Sequence, residues 1–543
     1  MNKLLEKITD FSNDSSLPRK IVPGIYFAIT RRSEVYHTYY LAWKSVFTFL
    51  HGELNTQRKV SLTDIREKYG IQIEDKEALF HFIFALEIYY SILLKFISFK
   101  KLNGGKPSTE LIDSITCGDY FISKHLLNYN SPQYYNIISS ISDIRSDLIK
   151  LLEVVHEHEK LENDFDFIKV IYENLFPREL RHSMGEFYTP DWLAEFTASE
   201  LTKNEKQPQC KLYLDPTCGS GTFLFSLLRL YPNYQRQLLR NIFGIDINPL
   251  AVLAAKTNYI IFLDSAPEED YLLPFFTTDI LKHPKYDKET LTLFNFSSPN
   301  FQTRIGGQAI EIPSIKYTLL DIKNLYKAVA KNDKTSLSGA VEEIYCQISQ
   351  FSQQDKISFI DRLALLAIRD VDYLLGNPPW VNWEYLPRDY RRETEQTWQY
   401  YELFDYKGLS SVFIKEDISS LITYVAVDNH LRLGGRLGFI LKESLFKSSK
   451  QGAGFRKFYL PKTKISLYPY SVHDLTRFSP FNGINNKSVI LFLEKGQNWD
   501  YPVTFTEWVP KGKKSFGEFE KANRILKSFE FIEKIALPID KAD

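Results

Sequence analysis

Three apolar stretches that each end in an aspartate constrain the fold of this chain more than any other feature. The first is Leu212-Tyr213-Leu214-Asp215, followed by Pro216-Thr217-Cys218-Gly219-Ser220-Gly221 and an apolar helical run to residue 228. The second is Ile242-Phe243-Gly244-Ile245-Asp246-Ile247-Asn248-Pro249, leading into a helix that begins Ala251-Val252-Leu253. The third is Pro274-Phe275-Phe276-Thr277-Thr278-Asp279-Ile280-Leu281. Short apolar runs, closed by turn residues and followed by helical spacing, describe successive βαβ units and hence a parallel sheet. Ligands of such sheets bind outside the carboxyl ends of the strands, where all three acids fall.

The loop between the first strand and its helix narrows the ligand. Its glycines let the backbone turn sharply and approach a bound group, with helix-start N–H groups facing it. A dinucleotide fingerprint needs a third glycine where Leu224 stands, so the loop is not built for a pyrophosphate. An acid before the glycines would repel phosphate and suits an ammonium group. Asp246 is placed to accept from two ribose hydroxyls, and Asp279 from an adenine amino group. Each acid alone could instead be a helix N-cap, but three in series around a Gly-x-Gly are hard to explain that way.

A fourth apolar run, Val371-Asp372-Tyr373-Leu374-Leu375-Gly376, is followed by Asn377-Pro378-Pro379-Trp380. An amide, two prolines and an exposed large aromatic at a strand end can hold a planar, amino-bearing base flat. On four residues alone, a proline-stiffened turn with a packing tryptophan explains as much.

Taken together with Gly185-Glu186-Phe187-Tyr188-Thr189-Pro190, these motifs resemble the N6-adenine DNA methyltransferases whose cofactor motifs precede the catalytic one. The upstream element is similar to that of type I modification subunits and type IIG restriction–modification enzymes, and the resemblance spans residues 165–500. It implies an α/β, Rossmann-like methyltransferase domain dependent on S-adenosyl-L-methionine (SAM), with a mostly parallel seven-stranded sheet, preceded by a helical N-terminal domain. It implies a SAM site of Tyr188, Thr189, Pro190, Asp215, Pro216, Cys218, Gly219, Gly221, Asp246, Ile247, Asp279, Ile280 and Asn377, with Thr189 and Pro190 at the methionine end. The catalytic set is Asn377, Pro378, Pro379 and Trp380, acting on adenine in double-stranded DNA.

The chemistry fits those residues. An adenine amino nitrogen is a poor nucleophile, because its lone pair is delocalised into the ring. Hydrogen bonds to the Asn377 side-chain oxygen and the Pro378 carbonyl would localise it. Trp380 would stack on the flipped base and offset part of the extrusion cost. Positioning and electrostatics would be the main catalytic terms, and no metal or covalent cysteine is required.

Residues 1–175 read as the helical domain, with helical spacing over 36–49, 76–102, 135–152 and 165–176. Residues 176–500 read as the methyltransferase domain, with later strands at 437–441 and 488–493 and a helical insertion over 283–370. Residues 501–543 read as an extension, the start of a target-recognition part that is missing or carried by a separate specificity subunit. The N-terminal region has no Pro-Asp pair and a single Glu-x-Lys, Glu74-Asp75-Lys76, so no nuclease is expected there. The apolar run over 78–99 contains His81, Glu87 and Lys95 and reads as a buried helix rather than a membrane span. Four cysteines without framework spacing fit a reducing bacterial or archaeal cytoplasm, near the nucleoid.

With 67 basic and 67 acidic residues, no global field draws the chain to DNA. Local clusters do stand out, and Arg388, Arg391, Arg392, Lys442, Lys447 and Lys450 are the candidates for phosphate contact. Two alternatives remain open on sequence: an RNA or protein N-methyltransferase, and a non-catalytic scaffold of a defence complex.

Overall fold

In the strand-forming part of the chain, buried apolar runs form β1 (Tyr213–Asp215), β2 (Ile242–Asp246) and β3 (Phe275–Thr277). A separate hairpin follows, β4 (Asn300–Ile305) and β5 (Gln308–Pro313). The later strands are β6 (Val371–Gly376), β7 (Leu431–Lys442), β8 (Tyr459–Leu460), β9 (Ile465–Asp474), β10 (Ser488–Lys495), β11 (Val503–Pro510) and β12 (Phe529–Ala536). The computed structural model describes residues 16–31, 34–51, 62–103, 109–129, 131–157, 166–184, 188–283, 300–305, 308–313, 315–404, 416–448, 451–481, 487–512 and 521–537.

One sheet runs in the order β12-β11-β9-β10-β7-β6-β1-β2-β3, with β8 paired to β9. From β3 to β7 every pairing is parallel. β10 then inserts antiparallel between β7 and β9. The stretch from β3 to β9 is a mostly parallel seven-stranded sheet, as the family resemblance implies. Its inner strands are continuous apolar runs because helices cover them: Asp191–Leu201 and Thr222–Leu230 pack against β6 and β1, Gln353–Ala367 against β3 and Ile418–Asn429 against β7.

The sheet does not stop at residue 500. β11 pairs parallel to β9, Phe505 opposite Val472, and β12 closes on β11, Trp508 opposite Phe531. Part of the expected 501–543 extension is therefore the edge of the same sheet. The insertion also differs from expectation: before its helices Leu319–Lys331, Gly339–Ile348 and Gln353–Ala367 it carries the antiparallel β4–β5 hairpin.

The chain divides into two compact units. Residues 189–247, 274–329 and 333–543 carry the sheet; residues 1–188, 248–273 and 330–332 make the other, helical unit. The division follows Tyr188 rather than residue 175, and the helix after β2, Pro249–Phe262, belongs to the helical unit. At the centre of that unit lies helix Lys76–Asn103, long and apolar enough by length and composition to cross a membrane, yet with its whole apolar window buried in protein. Its polar residues are matched internally: Glu87 accepts from Trp43 and Tyr135 at 2.7 and 2.6 Å, and Lys95 donates to the Thr116 carbonyl and Asn136. The helical spacing over 135–152 breaks at extended Ile141, giving a 3-10 segment Gln133–Ser140 and helix Arg145–Glu157. Ser142, just after the break, donates its hydroxyl to Asp143 Oδ1 at 3.2 Å, a local bond of the kind that competes with helix.

Candidate active site

Because β1, β2, β3 and β6 run parallel in register, their carboxyl ends emerge along one edge of the sheet. Asp215 lies opposite Gly244, and Asp246 opposite Thr277. Asp279 follows β3 and Asn377 follows β6, so the four residues singled out by spacing gather along this edge.

Asp215 is only 1% exposed. Its Oδ1 accepts from the Thr217 N–H at 3.0 Å, while Oδ2 is buried with no hydrogen-bond partner. Burial pushes this carboxyl well above the usual range; the Thr217 N–H opposes the shift and the charge of Asp246 adds to it. A buried carboxyl with an unmatched oxygen costs free energy, and such groups concentrate at functional sites. Its neighbour across the sheet has to be glycine: a Cβ at Gly376 would lie 2.6 Å from Asp215 Oδ1. The first acid thus rests against the residue that introduces Asn377.

The loop after β1 turns through Gly219 and Gly221, at φ +55 and +88°. A Cβ at Gly221 would meet the Phe225 ring at 2.4 Å, so helix Thr222–Leu230 starts tightly against the loop. Cys218 and Pro216 are buried in it. The Gly219 N–H donates to Asp246 Oδ2 at 2.8 Å, which ties the glycine loop to the second acid. Asp246 and Ile247 are half-buried.

Asp279 behaves as the cap alternative expects, with an addition. Oδ1 accepts from the Leu281 N–H at 2.9 Å and caps the short turn Ile280–Lys282. Oδ2 accepts from the Tyr390 hydroxyl at 2.8 Å. Burial is the largest influence and raises its pKa, against the bonds from Leu281 and Tyr390. No sequence signal marked Tyr390, which comes from helix Arg388–Tyr400 beyond the Asn377–Trp380 turn.

Asn377 donates through Nδ2 to Thr189 Oγ1 at 3.1 Å, and its Oδ1 is buried without a partner. Pro378 is buried and Pro379 exposed. Trp380 is half-buried rather than exposed: its indole N–H points to the Ile440 carbonyl at 3.4 Å and its ring stands edge-on to Phe481 at 5.3 Å. The loop is then pinned by the Ile418 N–H on the Val381 carbonyl at 2.9 Å. Tyr188 belongs to the helical unit, where its ring meets Tyr172 edge-on at 5.3 Å. Gly185, Glu186, Phe187 and Lys450 lie outside the described residues. No group of three or more His, Cys, Asp or Glu side chains is placed to hold a metal among the described residues.

Two of the expected phosphate contacts, Lys442 and Lys447, are already engaged within the protein. Lys447 is 2.7 Å from Asp474, and Lys442 donates to Asn382 at 3.3 Å. Their neighbours Arg432 and Arg436 pair with Asp372 and Glu494 at 2.8 and 2.9 Å. Arg388 and Arg392 are exposed, whereas Arg391 is half-buried.

The sheet order and the residues along its edge define the class: a Rossmann-like methyltransferase fold. Within that class, residues 163–303 match the N-6 DNA Methylase family, and residues 240–473 match the Eco57I restriction-modification methylase family. The chain carries an N6-adenine DNA methyltransferase domain of the restriction–modification kind. The structure is similar to that in the DrdV–DNA complex, with a TM-score of 0.50 at 13% identity over 100% of this chain and 46% of that one. A type I restriction-modification methyltransferase subunit from Streptococcus thermophilus gives 0.41 at 15% identity, covering 96% of this chain and 95% of that one. A modification subunit of a putative type I restriction enzyme from Vibrio vulnificus gives 0.41 at 13%, with 86% of each chain covered. The chain spans less than half the length of the DrdV chain. No curated protein sequence matches it.

Proposed function

We propose that this protein transfers a methyl group from SAM to the N6 amino group of adenine in double-stranded DNA, after flipping the base from the duplex. The setting is a cytoplasmic restriction–modification or antiviral system of a bacterium or archaeon. A partner subunit or further domain supplies the choice of sequence. The observation that carries this reading is a pair of buried, unmatched oxygens at adjacent strand ends, Asp215 Oδ2 and Asn377 Oδ1.

The residues fit the cofactor. Asp215 offers an unmatched acceptor for its ammonium group, Asp246 a half-buried carboxylate for its ribose hydroxyls, and Ile280 an apolar surface beside Asp279. When bound, SAM supplies an electrophilic methyl on a sulfonium. Asn377 Oδ1 and the Pro378 carbonyl then accept from the adenine amino group, drawing its lone pair out of the ring. Trp380, its ring edge fixed by Phe481 and the Ile440 carbonyl, offers a face for the base. Buried Pro378 and Asp215 help to exclude water from the same edge, which strengthens every polar contact made there.

Asn377→Ala tests the division of roles. Methyl transfer from labelled SAM to unmodified duplex DNA should fall by roughly a hundredfold or more, the scale of losing one preorganised transition-state contact. SAM affinity by calorimetry should change little. Joint loss of both would mean that Asn377 serves the cofactor, and label appearing in RNA or protein instead of DNA would reject the substrate.

A further inference from the structure

We propose that Thr189 is a positioning residue for Asn377: its hydroxyl takes the amide NH2 and so commits the amide oxygen to the substrate amino group. The inference rests on the methyl-transfer reading above and assigns Thr189 a task other than bordering the cofactor. A carboxamide is nearly symmetric in shape, and half a turn exchanges its oxygen and its NH2 at little steric cost. The chemical cost is large. With NH2 facing an amino group, donor meets donor and the lone pair of the base stays in the ring. Asn377 Nδ2 donates to Thr189 Oγ1 at 3.1 Å, which holds the amide in the orientation that leaves its oxygen for the substrate amino group.

Both partners are held so that this bond decides the remaining freedom. Each precedes a proline, Pro190 after Thr189 and Pro378 after Asn377, and a residue before proline is confined to extended backbone. Thr189 is 7% exposed and leads directly into helix Asp191–Leu201, whose Trp192, Leu193 and Ala194 are buried. Asn377 follows β6 across Gly376, where Asp215 leaves no room for a side chain. The backbones are fixed from both sides, and what remains is rotation of the amide. Its oxygen, buried and unmatched, is then presented without a competing partner.

The test compares Thr189→Val, which keeps the shape and removes the hydroxyl, with Thr189→Ser, which keeps the hydroxyl. SAM dissociation constants come from calorimetry, and single-turnover methyl transfer to unmodified duplex DNA is measured at saturating SAM. Valine should slow the saturated rate roughly tenfold, the effect of one ordinary hydrogen bond, and leave SAM affinity within about twofold. Serine should restore most of the rate. If valine melts early, Thr189→Ala must show the same split. Weakened SAM binding with an unchanged saturated rate would make Thr189 a cofactor contact and overturn the proposal. So would a valine variant equal to the natural chain, or a serine variant as slow as valine. A natural chain that binds no SAM would instead defeat the functional reading itself.

Discussion

Asp215 is a carboxyl that folding alone does not favour. It is buried, one oxygen has no partner, and its pKa is raised mainly by burial. A carboxyl whose folded pKa exceeds the unfolded value contributes stability that is fully present below the unfolded pKa, about 4. That contribution is lost as pH rises through the folded value, so near neutrality the side chain strains the ligand-free protein. Asp215→Asn, of the same shape without the charge, should raise the melting temperature at pH 7 and do so less at pH 4, while weakening SAM by at least tenfold or so. Scanning calorimetry and SAM titration measure the two arms; an unstabilised variant with native affinity would show that the orphan oxygen has no ligand. At this scale the sequence was informative where chemistry repeats along the chain. Asp215, Asp246 and Asn377 were legible because each closes an apolar run. Tyr390 on Asp279 and Thr189 on Asn377 were not, since these bonds join residues 111 and 188 positions apart.

Among the elements, the edge of the sheet holds a pH-sensitive join. His473 on β9 accepts the indole N–H of Trp508 on β11 at 3.0 Å through Nδ1, which requires a neutral ring. Burial, with a smaller push from Lys203, lowers its pKa to about 4. For a histidine depressed in the fold, stability is full above the unfolded value, about 6.5, and is lost as pH falls from there towards 4, by up to about 3 kcal/mol. His473→Gln, whose amide oxygen can accept from Trp508 without titrating, should lose less stability between pH 7 and 5 than the natural chain. Parallel denaturant melts would show it, and identical losses would exclude His473 from the acid response. His430, buried and also lowered to about 4, remains in both proteins as a common background. β11 was legible in principle from its β-branched and aromatic residues, but no apolar run marks it as β1, β2 and β6 are marked. The half-exposed β12 carries weaker patterning still, with most of its residues on the surface. Hairpin β4–β5 was hidden inside an insertion whose helical spacing dominates.

The whole molecule has no net charge, and several residues of the basic segment 432–457 are used up internally. Lys447 is held by Asp474, Arg432 by Asp372 and Arg436 by Glu494, while Arg456 is buried and donates to the Leu445 and Gln451 carbonyls. Arg388 and Arg392 stay exposed at the start of helix Arg388–Tyr400, but Asp389 and Glu393 are exposed beside them. Affinity for duplex DNA is governed by phosphates neutralised, and each such contact adds about 0.9 to the salt slope. A chain with two exposed arginines after its catalytic turn should therefore bind duplex DNA weakly, with a slope of roughly two, and without choosing a sequence. Arg388→Ala with Arg392→Ala should remove most of that slope, whereas Lys447→Ala should leave DNA affinity nearly unchanged and act on stability through Asp474. Titrations across a salt series measure the slope, and sequencing of the methylated adenines measures the choice. Scattered adenines would fit a domain that performs the chemistry and takes its sequence preference from elsewhere. A single sharp motif from this chain alone would overturn that, and would direct attention to the β4–β5 insertion as the reader of bases.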